Sequence, residues 1–224
     1  MLKRDRQRFY KVYERLMQRY GAQHWWPADS PFEVMVGAIL TQNTNWTNVE
    51  RALENLKARS SLDARQILEH KHEVLAGFLK PSGYFNVKAI RLTTFCRWYI
   101  EQGGFEKINR KETKQIREGL LGIKGIGPET ADDILLYAFE RPVFVIDAYT
   151  RRIFSRLDLV SDDLSYEQSR QLFEQALEPD VVVFNEYHAL IVTHGKTHCQ
   201  PVPQCTGCPL KRLCRYPASS DGSG

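Results

Sequence analysis

Apolar residues recur at three- and four-residue intervals along almost the whole chain. Phe9, Val12, Tyr13, Leu16 and Met17 share one helical face. Val49, Ala52, Leu53 and Leu56 share another, and Ala131, Ile134, Leu135 and Ala138 a third. Between such runs lie segments 27–31, 81–83, 103–104 and 125–128, whose Pro, Gly, Ser and Asp residues mark tight connections. Two segments, 143–146 and 181–184, have strand-like composition, but each is short and lacks a second run to pair with. They are read as buried connectors or helix starts. The pattern predicts an all-α fold with a disordered tail over 217–224, and no internal repeat is evident.

Composition narrows the picture only slightly. A chain of 224 residues fits one large domain or two lobes, and 42% hydrophobic residues are enough to bury a sizeable core. The net charge of +4 permits a polyanionic partner without demanding one. The first residues are charged and are not followed by an apolar stretch, so a secretory signal is not expected, and no run is long enough to cross a bilayer. An intracellular protein keeps its thiols reduced, which makes a disulfide framework a poor reading of the five cysteines.

Four of those cysteines do change the picture. Cys199, Cys205, Cys208 and Cys214 crowd into the C-terminal segment, a thiolate set suited to iron–sulfur or zinc. Structural zinc more often uses two separated Cys-x2-Cys pairs or histidine partners. The remaining Cys96 reads as a buried packing thiol, and His188, His194 and His198 as structural hydrogen-bonding groups. Around the four cysteines, Lys196, Lys211, Arg212 and Arg215 stand with no acidic residue between positions 188 and 216. Such a basic loop could follow a phosphate backbone, or could be no more than a solvated surface.

A second signal is Ile123-Lys124-Gly125-Ile126-Gly127-Pro128. A helix ending near Leu121 meets a tight turn, and Pro128 suits the first position of the next helix. Glycines 125 and 127 let the backbone approach a ligand. The hairpin amides, with Lys124 and Thr130, would then hold a nucleic-acid phosphate. A Gly-rich turn that binds nothing is the bland alternative. Asp147, just ahead of a predicted helix over 148–155, can cap that helix or act as a catalytic carboxylate, and the two roles are compatible.

Ile123-Lys-Gly-Ile-Gly127, followed some twenty positions later by Phe144-Val-Ile-Asp147, resembles the helix-hairpin-helix glycosylases of the endonuclease III superfamily, with Lys124 where proline is commoner. The resemblance runs from the Pro31-Phe32-Glu33 region to Cys214. Trp25-Trp26-Pro27, Leu40-Thr-Gln-Asn-Thr44, Pro81-Ser-Gly-Tyr-Phe-Asn-Val-Lys88 and Thr130-Ala-Asp-Asp-Ile134 are similar to the 3-methyladenine DNA glycosylase III branch. His194-Gly-Lys-Thr-His-Cys199 looks like the lead-in to the endonuclease III cluster, although the first cysteine gap is one residue shorter than usual.

The resemblance implies a two-lobed fold. A six-helix lobe would span 27–140, with the hairpin motif at about 112–139, and a second lobe would combine 1–26 with 141–216. The cofactor would be a 4Fe-4S cluster on Cys199, Cys205, Cys208 and Cys214, in a loop over 199–214. The partner would be double-stranded DNA with a damaged base, bound by a monomer across the cleft between the lobes.

For the site, the resemblance implies Asp147 as the catalytic group. It places Trp46, with Trp25 or Trp26, on the extruded base, and Gln42, with Asn43 second, in the gap left behind. Lys196, Lys211 and Arg212 would join the hairpin on the phosphates. Glu129 occupies the position of the lysine that forms a Schiff base in strand-cleaving relatives, which implies a monofunctional enzyme. An alkylated purine is cationic and would be drawn to an indole face. A glycosylase for oxidised or mismatched bases and a noncatalytic damage-binding module are the rival readings.

Overall fold

The computed structural model describes residues 3–60 and 62–216, so the predicted tail at 217–224 lies outside the described residues. Within them the regular structure is helical and contains no strand. The elements are α1 (Lys3–Tyr20), α2 (Pro31–Leu40), α3 (Trp46–Ser60), α4 (Ala64–Glu69), α5 (His72–Leu79), α6 (Phe85–Glu101), α7 (Gly104–Asn109), α8 (Thr113–Leu121), α9 (Pro128–Asp133), α10 (Ala148–Arg156), α11 (Tyr166–Leu177) and α12 (Val181–Thr197). The all-α expectation holds.

Residues 26–141 form one compact unit, and residues 3–25 with 142–216 form another. In the first, α2 is the central helix. Ser30 caps it by accepting the Glu33 N–H at 3.2 Å, and every residue from Phe32 to Leu40 is buried. A helix without a polar face must be surrounded, and α3, α6, α9 and a π-helical turn at Ile134–Ala138 pack around it. Its one charge, Glu33, is neutralised by Lys57 Nζ at 2.6 Å and accepts the Asp29 N–H at 2.9 Å.

The second unit is built from α1, α10, α11 and α12 around an aromatic core. Phe9, Phe144, Phe154, Phe173, Phe184 and Tyr187 are fully buried, with Phe144 stacked on Phe173 at 4.3 Å. Each such ring contributes about 2–3 kcal/mol by leaving water. Segment 143–146 runs through this core as an extended connector. Its amides find side chains instead of a neighbouring strand: Phe144 N–H donates to Glu174 Oε1 at 3.1 Å and Ile146 N–H to the Tyr166 hydroxyl at 3.4 Å. That satisfaction removes any need for a sheet. Segment 181–184 opens α12, where Asp180 accepts the Val183 N–H at 3.0 Å.

Candidate functional site

The hairpin lies between α8 and α9 in the first unit. Ile123 and Ile126 are buried and anchor it, and Ile126 N–H closes the turn on Ile123 O at 3.0 Å. Lys124, Gly125 and Gly127 are exposed. Gly125 has φ +97°, and a Cβ there would sit 2.6 Å from Nε of Arg91, so both the conformation and the close approach require glycine. Gly127 is the N-cap of α9 and offers no capping side chain, with Pro128 directly after it. The first-turn amides of α9 are thus uncapped beside an exposed lysine, a geometry suited to an anion.

Thr130 does not share that exposure. It is buried, and its hydroxyl oxygen accepts from the Gln42 side-chain amide at 2.8 Å. The same amide nitrogen donates to Gly125 O at 3.2 Å, while Arg91 Nη1 donates to the Gln42 carbonyl. Gln42 is therefore stowed against the hairpin, and insertion into DNA would require these bonds to break. Asn43, next to it, is exposed with φ +55°. Beneath the turn, Arg117 binds Asp132 through both Nε–Oδ1 at 2.6 Å and Nη2–Oδ2 at 3.1 Å, with the Asp132 side chain fully buried. Neither Arg91 nor Arg117 was legible as a site residue, because each reaches the hairpin only through tertiary contact. Tyr84, next to the turn residue Gly83, is exposed and left-handed at φ 45°.

The tryptophans divide between the units. Trp26 meets Trp46 edge-on, at 5.0 Å and 83°, and meets Tyr137 of the π turn at 5.1 Å and 66°. Gly37 of α2 makes room for both indoles, since a Cβ there would lie 3.4 Å from Trp26 and 3.5 Å from Trp46. The two rings are half-exposed and nearly perpendicular, so no parallel slot exists between them. A base would stack on the open face of one ring, the second buttressing it. Trp46 is further held by a bond from its indole N–H to Glu50 at 2.8 Å. Trp25 belongs to the other unit and packs edge-on against His188 at 6.5 Å and 81°.

Asp147 ends the extended connector and caps α10, accepting the Thr150 N–H through Oδ1 at 2.6 Å. Its Oδ2 stands 3.6 Å from Nε2 of His188 on α12. Burial alone would push the carboxyl up, but His188 and the Thr150 amide outweigh it and hold the group below its usual range. Nearby, Tyr149 lies directly on Gly195, where a Cβ would come within 2.3 Å of the ring. The lack of a side chain at 195 is what lets α10 and α12 close here.

The C-terminal loop is fastened to α10. Arg152 Nε donates to Cys199 O at 2.7 Å, and Arg156 donates to Cys199 Sγ at 3.3 Å and to Gln200 O at 2.7 Å. All four cysteines line one cavity of about 250 Å³, with His194, His198 and Leu210. Burial raises the thiols of Cys208 and Cys214, and the neighbouring cysteines raise them further. Among the described residues no three His, Cys, Asp or Glu side chains converge on a site for a single ion. Four clustered cysteines around a shared space are a donor set suited to iron–sulfur or zinc. Buried His194 bonds through Nδ1 to the Tyr20 hydroxyl at 3.0 Å and lies 3.8 Å from Cys208 Sγ; burial and His198 lower it to about 4. Lys196, Lys211 and Arg212 are exposed around this loop.

The sequence pattern of the HhH-GPD superfamily of base excision DNA repair proteins matches residues 36–179. A Methanocaldococcus jannaschii protein assigned as a DNA repair glycosylase is 45% identical over 208 residues, covering 92% of this chain and 94% of its own. The crystal structure of H. pylori 3-methyladenine DNA glycosylase bound to 1,N6-ethenoadenine superimposes with a TM-score of 0.72 at 29% identity, covering 84% of this chain and 96% of that one. An endonuclease III–DNA complex superimposes with a TM-score of 0.81 over 96% of each chain, at 21% identity, and so shares the fold.

Proposed function

The chain belongs to the HhH-GPD superfamily of DNA glycosylases, and from that premise we propose that it is a monofunctional enzyme that hydrolyses the N-glycosidic bond of alkylated purines in duplex DNA. The observation that carries this reading is the Trp26–Trp46–Tyr137 cluster of the first unit, with its two indoles half-exposed over a buried tyrosine. It offers an electron-rich face and few hydrogen-bonding groups, which selects a base by charge. Similarity to a 3-methyladenine glycosylase at 29% identity agrees with it.

The chemistry follows from the residues. Alkylation at N3 or N7 leaves the purine positively charged, so it departs as a neutral base and needs little protonation. The sugar left behind carries the positive charge. Asp147, ionised and fixed at the N-terminus of α10, stabilises that charge and accepts a proton from the attacking water. Glu129 stands where an amine would be needed for an imine and cannot form one. The hairpin, with Lys124, Gly125, Gly127 and the Thr130 amide, grips a phosphate, and Lys196, Lys211 and Arg212 add backbone contacts.

Pure protein incubated with methylated duplex should free 3-methyladenine or 7-methylguanine with both strands intact before alkali treatment. Release of neither base would overturn the substrate, and uracil, thymine mismatches and oxidised pyrimidines would be assayed next. A strand break trapped by borohydride would overturn the water mechanism.

The four C-terminal thiols fit a 4Fe-4S cluster, which would supply rigid cross-linking of the basic loop. Cys199, Cys205, Cys208 and Cys214 would hold it, with Arg156 donating to the first of them. Iron and acid-labile sulfide should each be found at about four per chain, and Cys208→Ser should lower both together with the melting temperature. Zinc without sulfide would overturn this assignment.

A further inference from the structure

The two oxygens of Asp147 have different partners. Oδ1 is occupied by the Thr150 N–H at 2.6 Å, the bond that caps α10. Oδ2 faces Nε2 of His188 at 3.6 Å, an ion-pair separation longer than a hydrogen bond. The carboxylate side chain is 11% exposed and the imidazole 6%. A carboxyl so buried takes up a proton unless something nearby favours its anion.

Among the described residues, several charged side chains on the surrounding elements are engaged elsewhere. On α10, Arg151 binds Leu164 O and Arg152 binds Cys199 O. On α11, Arg170 is engaged by Glu167 and Glu174. On α12, Glu186 accepts the amides of Gln23 and His24, and the Tyr187 hydroxyl donates to Phe9 O. Among the described residues of this unit, His188 is the basic group recorded facing Oδ2. Its ring is steadied by the edge contact with Trp25, whose own face carries Lys196 at 5.9 Å.

We propose that His188 is a positioning residue that keeps Oδ2 of Asp147 ionised and oriented toward the reacting sugar. The inference rests on the reading of Asp147 as the catalytic carboxylate. It predicts that the enzyme tolerates acid because of His188. Removing the imidazole leaves burial unopposed on that side, so Asp147 gains its proton at a higher pH and function is lost there first.

The test avoids dependence on any one damaged base. Binding is measured to two duplexes, one with a neutral tetrahydrofuran abasic site and one with a pyrrolidine abasic analogue whose ring nitrogen is cationic. The affinity ratio reports the charge on Asp147, and it is followed from about pH 8 down to about pH 5. The wild-type protein should prefer the cation by about tenfold or more at the upper end, a preference that Asp147→Asn abolishes.

His188→Phe keeps the ring volume and the contact with Trp25. It should match wild type near pH 8, then lose about tenfold in preference at an acidic pH where wild type retains it. His188→Gln, which restores a donor near the Nε2 position, should recover most of that loss. His188→Met replaces the phenylalanine variant if the latter lacks a cooperative melt. A phenylalanine or methionine variant whose ratio falls at the same pH as wild type overturns the role of His188 and leaves Asp147 standing. A wild-type protein without cation preference, or Asp147→Asn with an undiminished one, overturns the reading of Asp147 itself.

Discussion

Asp147→Asn should bind duplex DNA and melt like the wild-type protein, yet release damaged base at least about 10³-fold more slowly. The separation of effects follows from the geometry. Asn is as good an N-cap as Asp, so the bond from the Thr150 N–H at 2.6 Å survives and α10 keeps its start. What disappears is the negative charge that, in the proposed mechanism, faces the developing oxocarbenium ion and takes the proton of water. The check is single-turnover excision from a duplex carrying a base that the wild type releases, alongside a thermal melt and binding to undamaged duplex. Retained excision would remove Asp147 from the mechanism. Equal losses in excision, melting and binding would instead reduce it to a cap.

The second large effect concerns the base of the hairpin. Arg117→Met removes both guanidinium bonds to Asp132, whose side chain is fully buried. Leaving one member of a buried pair uncompensated costs about 3–5 kcal/mol, which for a chain of this size lowers the melting temperature by roughly 6–20 °C. Affinity for undamaged duplex should fall as well, because α8 and α9 no longer hold the turn in register. The double variant Arg117→Met with Asp132→Leu should recover most of the stability, since a buried pair can be replaced by apolar side chains of similar volume. A single variant that melts within a degree or two of wild type would show that the pair is dispensable.

These two residues illustrate what could be read in advance. The Asp147 cap was legible because it is local: an acid after a hydrophobic segment and directly before a helix. Arg117 was not, because it is one of many charged residues on an amphipathic helix and only its buried partner sets it apart. His188 was read as a structural histidine, and nothing in the α12 pattern says that its ring faces Asp147. Thr130 was placed among the phosphate ligands from its position after the hairpin, whereas its hydroxyl is turned inward to Gln42.

The tryptophans make the same point. Trp25 and Trp26 are neighbours in sequence and either is a candidate partner for Trp46, but the chain passes from one compact unit to the other between them. Trp26 joins Trp46 and Tyr137, while Trp25 packs on His188. A resemblance that offers either tryptophan cannot choose between them.

Sequence alone determined the features that depend on local physics. Helical periodicity specified the all-α class. Gly125, at φ +97°, and Pro128, at the first helical position, specified a tight hairpin leading into a helix, because few other residues suit those two positions. Clustered cysteines pointed to four thiols sharing one space, which the structure brings around a single cavity. Tertiary structure decided everything that depends on which side chains meet across distant segments. It stowed Gln42 against the hairpin, turned the two indoles edge to edge, satisfied the strand-like segment 143–146 with side chains from α11, and set His188 beside Asp147. Periodicity records how much of a face is buried. Only packing decides against what.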